Sequence, residues 1–363
     1  MTVERIKFCL RAEKLIISFI LGITLVASSC QTGSNQENLP KLPAPQITEE
    51  YDTGRDFYLG MVPSPKTVPE SSFEDLVSAY EELGTIADVA MIWGNPGGIG
   101  LYDRLKQNQV VTAVRIYGLK PVLTLNFHTI KEIPGQGLGV IIDAPQGVAP
   151  DASDPEFRRL WVAEAKKIAQ EFKPEYFSLG NEINDYFYVH PEALDNYLSL
   201  FEEAYGKIKD VSPDTKVFVV FSYNHLIENN QWNLLEIFSD KADLIGLTTY
   251  PWKHFDSPQE IDEDYYSRLN QYLNKPIVFT EIGWPSVDSE EDQAEFLLRL
   301  VELIGKNEVE LINWLFLHEM DVSQGIGKHV FSPETGTIAL KKADGTKKPV
   351  YWVWEDLYRG EQK

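Results

Sequence analysis

Eight short, nearly continuous apolar runs recur along the chain from about residue 57 onward. They are FYLGMVP (57–63), DVAMIW (88–93), PVLTLNFH (121–128), YFSLGNE (176–182), KVFVVFSYN (216–224), DLIGLTTYP (243–251), PIVFTEIGW (276–284) and LINWLFLHE (311–319). Each is rich in β-branched or aromatic residues and nearly continuous in its apolar character. That is the pattern of strands covered on both faces. Between the runs lie amphipathic stretches with apolar residues at i, i+3 and i+4. The stretch 72–83 opens on serine and acidic residues, and 154–172 has Asp154 as N-cap with Pro155 at the first helical position. The stretches 191–210 and 289–305 repeat the same spacing.

Run starts mostly fall about 30 to 40 residues apart, with no clear break into domains. Eight strand–helix units of that period predict an α/β fold, a (β/α)8 TIM barrel, as one catalytic domain over residues 51–363. An open doubly wound sheet is the other arrangement of alternating strands and helices, but no glycine-rich phosphate loop follows the first run. The longest gap, between the third and fourth runs, contains EIPGQGLGVIIDAPQGVAPDASD. Its glycine and proline density predicts either a long loop over the C-terminal face of the barrel or a disordered surface insertion.

The first 30 residues depart from this pattern. Arg5, Lys7, Arg11 and Lys14 precede an apolar run from Leu15 to Ala27, too short for a comfortable membrane span, and small residues then lead to Cys30. The segment resembles a bacterial lipoprotein signal, which implies lipidation at Cys30. Ala27 stands where that pattern prefers leucine, so a secretory signal or an uncleaved anchor remains open. Cys9 and Cys30 are the only two cysteines, which leaves the body of the chain without an internal disulfide or a cysteine metal site. Residues 31–50 are rich in Gln, Asn, Pro, Ser and Gly and predict a flexible tether. The expected location is outside the cytoplasm, as a lipid-anchored protein of the cell surface or periplasm, with secretion as the alternative.

The formal net charge of −22 argues against a nucleic-acid partner, because a polyanion would be repelled and no long basic stripe is present. Removing the leader, with its four basic and two acidic residues, makes the remainder more negative still. Aromatic residues make up 12% of the chain, including 8 Trp and 17 Tyr, and rings with a polar edge suit sugar-binding clefts as well as large cores.

The ends of barrel strands deliver catalytic groups to one face. Two carboxylates sit at such ends: Glu182 closes the fourth run and Glu281 lies near the end of the seventh. A charge on a buried apolar strand is expensive unless it serves a purpose. Paired carboxylates are what glycosidic bond cleavage requires, one to protonate the leaving oxygen and one to attack the anomeric carbon. Proximity of the two raises the proton affinity of the first. The structural alternative is that each glutamate belongs to an ion pair.

The pattern resembles clan A of the glycoside hydrolases, whose members carry Asn-Glu on strand four and Glu on strand seven; the likeness spans about residues 56–358. It implies that Glu182 is the acid/base, that Glu281 is the nucleophile of a retaining double displacement, and that Asn181 binds the sugar 2-hydroxyl. It also implies that Tyr250 bonds the nucleophile, that Trp314 floors the cleavage subsite, and that His128 is the strand-three histidine of several members. WGNP (93–96), with Trp93, and DLIGLTTYPW are similar to the endo-β-1,4-galactanases of family 53. EIGWPS (281–286), with Trp284, is closer to the endo-β-1,3-glucanases of family 17. Galactanase-like members have arginine where this chain has Met91.

Tyr186, Tyr188, Trp252 and Trp284 follow strand ends and are further candidate sugar platforms. His318-Glu319 lacks the second histidine of a zinc motif, since Val322 stands in its place, and His225 and His254 have no His-x-His partner on the first run. The expected chemistry needs no cofactor or metal. The expected partner is an oligo- or polysaccharide bound by a monomer. A glycan-binding protein on a degenerate barrel and a metal-dependent barrel hydrolase are the competing classes.

Overall fold

The computed structural model describes residues 55–66, 72–92, 98–133, 135, 137–322 and 332–360. The leader with Cys30, the tether and Trp93 lie outside them. Eleven strands are present among the described residues: β1 (Tyr58–Val62), β2 (Val89–Ile92), β3 (Lys120–Thr124), β4 (His128–Ile133), β5 (Gly137–Ile142), β6 (Tyr176–Ser178), β7 (Lys216–Ser222), β8 (Leu244–Thr249), β9 (Ile277–Ile282), β10 (Val309–His318) and β11 (Ala339–Lys341). β1, β2, β3, β6, β7, β8, β9 and β10 pair in that order, all parallel, and β1 pairs back onto β10 to close the barrel. These eight are the eight apolar runs. β11 adds to β10 as an outer parallel strand.

The helices begin where the local chemistry favours them. α1 (Phe73–Leu83) carries a capping box in which Ser72 and Asp75 satisfy each other's backbone N–H groups. The next two helices are α2 (Leu101–Asn108) and α3 (Val110–Ile116). α4 (Pro155–Phe172) has Asp154 accepting from the N–H groups of Glu156 and Phe157, with proline at the first position. α5 (Ile183–Val189) leads from β6 to α6 (Leu194–Val211), which packs against α4. α7 (Tyr223–Glu228) and α8 (Asn233–Ser239) follow β7. α9 (Glu290–Ile304) and α10 (Pro349–Arg359) cover the closing side of the barrel.

Two aspartates stitch the N-terminal ends of the strands. Asp88, just before β2, accepts from the Leu59 N–H at 2.8 Å and pairs with Arg55 at 2.7 Å. Asp243, just before β8, accepts from the Val217 N–H at 2.7 Å and from the Tyr205 hydroxyl at 2.8 Å. Each carboxylate thus binds the backbone of the preceding strand and fixes the register at the floor of the barrel.

The gap between the third and fourth runs is not a plain loop. β4 and β5 form an antiparallel hairpin in which His128 opposes Ile142 and Ile133 opposes Gly137. The hairpin leaves the C-terminal end of β3, the rim that carries the chemistry. His190 Nε2 lies 3.0 Å from the Val140 carbonyl and ties the hairpin to the end of α5.

Candidate functional site

The strand that delivers Glu182 is short, but its pairing extends beyond it. Past Ser178, the Leu179 N–H donates to the Phe218 carbonyl at 2.8 Å and the Val220 N–H donates to the Gly180 carbonyl at 3.1 Å. Gly180 has φ +153°, and a Cβ there would lie 2.6 Å from the Ile183 side chain and 3.0 Å from the Tyr197 hydroxyl. Only glycine allows this squeezed passage to the rim. Glu182 then caps α5 in the left-handed region at φ 47°. A non-glycine residue held there costs about 1–3 kcal/mol, a strain typical of functional positions.

Glu281 sits inside β9 beside Thr248 of β8 in the sheet register. The Thr248 hydroxyl donates to Glu182 Oε1, so one threonine touches the second carboxylate while neighbouring the first. Asn181 Nδ2 donates to Glu281 Oε1 at 3.4 Å, and the Tyr250 hydroxyl donates to Glu281 Oε2 at 2.6 Å. Glu182 and Glu281 are 2% and 1% exposed. Both carboxylates therefore converge on one buried set of donors, Asn181, Thr248 and Tyr250, at the C-terminal rim of the barrel.

The electrostatics separate the two. Burial, then the charges of Asp185 and Glu281, push the Glu182 carboxyl up to about 8 against the opposing pulls of Thr248 and His225. Burial and the neighbouring negative charges thus favour the protonated form of Glu182. Lys253, half-buried in the turn after β8, lies with its ammonium 4.8 Å from the centre of the Tyr250 ring. Desolvation lowers the Lys253 ammonium to about 8, against the attraction of Glu182, Asp185, Glu228 and Glu281. His128 opens the hairpin, and its ring lies 5.6 Å from that of Tyr186. Burial takes His128 down to about 4, so its imidazole is neutral, and its Nδ1 has no hydrogen-bond partner among the described residues. The same holds for Asn181 Oδ1 and Trp252 Nε1. Buried polar atoms left unpaired beside the two carboxylates mark places where a ligand or water completes the bonding.

The rim is clipped together by side-chain amides. Asn184 Nδ2 donates to the Ser222 carbonyl at 3.1 Å, while Asn184 Oδ1 accepts from the Ser222 N–H at 2.8 Å. Asn224 repeats the device one strand on, donating to the Tyr250 carbonyl at 3.0 Å and accepting from its N–H at 2.9 Å. The ends of β6, β7 and β8 are thus joined in series, and Tyr250 carries the chain of contacts to Glu281 on β9.

The remaining aromatic residues do not all meet this centre. Trp314 is 0% exposed and packs outward, with ring centres 6.1 Å from Phe296 and 6.3 Å from Trp354. It pairs with Ile282, the residue after Glu281, and so shares the outward face of the sheet. It presents no surface to a sugar. Trp284 is likewise buried, its ring 5.4 Å from Phe296. Tyr186 is buried among Phe127, His128 and His190, Tyr188 is exposed, and Trp252 is half-buried. Met91, where galactanase-like chains carry arginine, is buried in the core. His318 bonds the Ser64 carbonyl at 2.8 Å. Among the described residues no group of three or more His, Cys, Asp or Glu side chains is placed to hold a metal ion.

Sequence reasoning missed Thr248, Asp185 and Lys253, and weighed His225 only as a metal ligand. Each lies at or just after a strand end, and that position is the one signal that could have singled them out.

Comparison with known proteins agrees with this arrangement. Residues 163–310 match the model of glycosyl hydrolase family 53, a stretch that holds β6 to β9 with Glu182, Tyr250 and Glu281. No curated protein matches the chain in sequence. Among solved structures, an exo-β-1,4-mannosidase from Opitutaceae bacterium strain TAV5 is similar at TM-score 0.64 and 14% identity, covering 84% of this chain and 60% of its own. The chain therefore spans less than two thirds of that protein. A GH5_18 protein from Streptomyces cattleya, solved with GlcNAc, is similar at TM-score 0.63 and 14% identity, covering 85% of this chain and 82% of its own. A GH5_18 protein from Bifidobacterium longum subsp. infantis is similar at TM-score 0.59 and 11% identity, over 84% of this chain and 79% of its own. At such identities these structures speak for the barrel alone. The chain is a (β/α)8 barrel whose residues 163–310 match glycosyl hydrolase family 53.

Proposed function

We propose that the enzyme cleaves β-linked glycosidic bonds of a polysaccharide with retention, using Glu182 as acid/base and Glu281 as nucleophile. Glu281 attacks the anomeric carbon while Glu182 gives its proton to the departing oxygen. Water, deprotonated by Glu182, then releases the sugar from Glu281. The observation that carries this reading is the asymmetry of the pair. Thr248 donates to Glu182, whose burial beside Asp185 and Glu281 favours its protonated form, while Glu281 accepts from both Asn181 and Tyr250. One carboxyl is equipped to give a proton and the other is bonded as an anion would be. Asn181 and His128 are the polar groups proposed to meet the sugar, and no step requires a metal.

Glu281→Ala is expected to abolish turnover of glycan and aryl glycoside alike. Glu182→Ala is expected to lose about 10²–10⁴-fold on poor leaving groups and far less on activated aryl glycosides. Equal loss on both would contradict its role as proton donor. The anomer first released, followed by proton NMR, tests retention, and an inverted product rejects the mechanism. A panel of β-1,4-galactan, β-1,3-glucan and mannan identifies the polymer. A glycan-binding role predicts no reducing ends from any of them.

The proposed location is a membrane surface outside the cytoplasm, with lipid on Cys30, a residue outside those described. Labelled palmitate should enter the wild-type chain and not Cys30→Ser.

A further inference from the structure

One turn beyond Glu182, Asp185 is buried in α5, and its backbone N–H donates to the Glu182 carbonyl at 3.0 Å. Asp185 Oδ1 lies 2.6 Å from His225 Nδ1. His225 belongs to α7, which follows β7, so the contact joins two neighbouring strand ends. Both residues are buried, and Asp185 Oδ2 has no hydrogen-bond partner among the described residues. A buried ion pair is weak support for stability, since apolar side chains of similar volume often serve as well. Its place beside the proton-carrying carboxyl gives it another use.

We propose that Asp185 and His225 form a positioning dyad that fixes Glu182 and governs when it holds its proton. The inference rests on Glu182 being the proton donor. The two members act with opposite sign: Asp185 opposes a charge on Glu182, and a protonated His225 favours it. Burial alone would lower the imidazole, but the Asp185 charge and hydrogen bond overcome it and raise His225 to about 9, with the Glu182 charge adding to them only once that carboxyl ionises. The dyad is then an internal zwitterion at neutral pH. When Glu182 passes its proton to the leaving oxygen, the His225 cation faces the carboxylate that forms. When Glu182 takes a proton from water, the Asp185 anion helps hold it.

The other groups that face this cluster are Glu281 from β9, the Thr248 hydroxyl from β8, and Lys253 from the turn after β8. Lys253 also faces Glu228 from α7. His254 faces Glu228, Lys253 and His225, and His128 faces Asp185.

The test follows the Glu182 carboxyl directly. Full-length wild type, His225→Gln and Asp185→Asn are labelled with carbon-13 at the glutamate carboxyls, and Glu182→Gln assigns the signal. In His225→Gln the Glu182 midpoint and the alkaline limb of kcat/KM are expected to rise by about one pH unit, a tenfold gain in proton affinity. In Asp185→Asn both are expected to fall. Unchanged midpoints with merely reduced kcat would make the dyad structural and overturn the proposal. Should a variant fail to fold, nitrogen-15 shifts of His225 in the wild type decide: an imidazole already neutral at pH 7 also overturns it. Moving midpoints in a chain that cleaves no glycoside would uphold the dyad and sink the functional reading instead. Turnover with fixed midpoints would do the reverse.

Discussion

The Tyr250 hydroxyl donates to Glu281 at 2.6 Å, a charge-assisted geometry in a dry setting. Hydrogen bonds to charged groups contribute about 1.5–3 kcal/mol, so Tyr250→Phe should lower kcat by about 10- to 100-fold with little change in fold. Steady-state kinetics on an aryl glycoside, beside a thermal melt, checks both halves of that statement. Glu182 offers a second test through stability. Its folded carboxyl titrates near 8, above its ordinary value of 4.5. The folded state therefore keeps a proton that the unfolded state has lost. That contribution is fully present below the ordinary value and is lost as pH rises toward about 8. Glu182→Gln removes the dependence, so its melting temperature relative to wild type should climb between pH 4.5 and 8. A constant difference across that window would show that Glu182 is not buried as described.

The amide clips and the aspartate stitches hold the elements at opposite ends of the barrel. Asn224→Ala removes two hydrogen bonds to the Tyr250 backbone and should cost about 1–3 kcal/mol. Urea unfolding measures the loss, and activity should fall further than stability alone explains, because Tyr250 is displaced from Glu281. The eight barrel strands were legible in the sequence because strands covered on both faces leave unbroken apolar runs. The same continuity hid which residues point inward. With no alternation in LINWLFLHE, Trp314 could be assigned to either face, and the closed sheet puts it outside. The β4–β5 hairpin was illegible because glycines and Pro134 punctuate the segment where two strands pair. Glu182, Glu281, Asn181 and Tyr250 were legible as strand-end polar residues in a motif. Asp185 and His225 acquire meaning only when β6 and β7 lie side by side, a proximity that a sequence separation of 40 conceals.

For the whole molecule, a net charge of −22 surrounds a centre in which His225 and Lys253 are local cations. Screening acts over about 10 Å at 0.1 M salt, so the surface field repels an acidic polymer before the centre can meet it. Cleavage of a neutral β-glucan should therefore change little between low and high salt, and a carboxymethylated form of the same β-glucan should not be cleaved at low salt. Rates across a salt series measure this, and turnover of the acidic polymer at low salt contradicts it.

The backbone at position 182 has an evolutionary corollary. A lineage released from selection for turnover would become more stable by replacing this glutamate with glycine, which is at ease with positive φ and carries no side chain to ionise. Asparagine would relax the same position by a smaller step. A sister sequence reading Asn-Gly or Asn-Asn there would mark a retired catalyst that had kept its barrel.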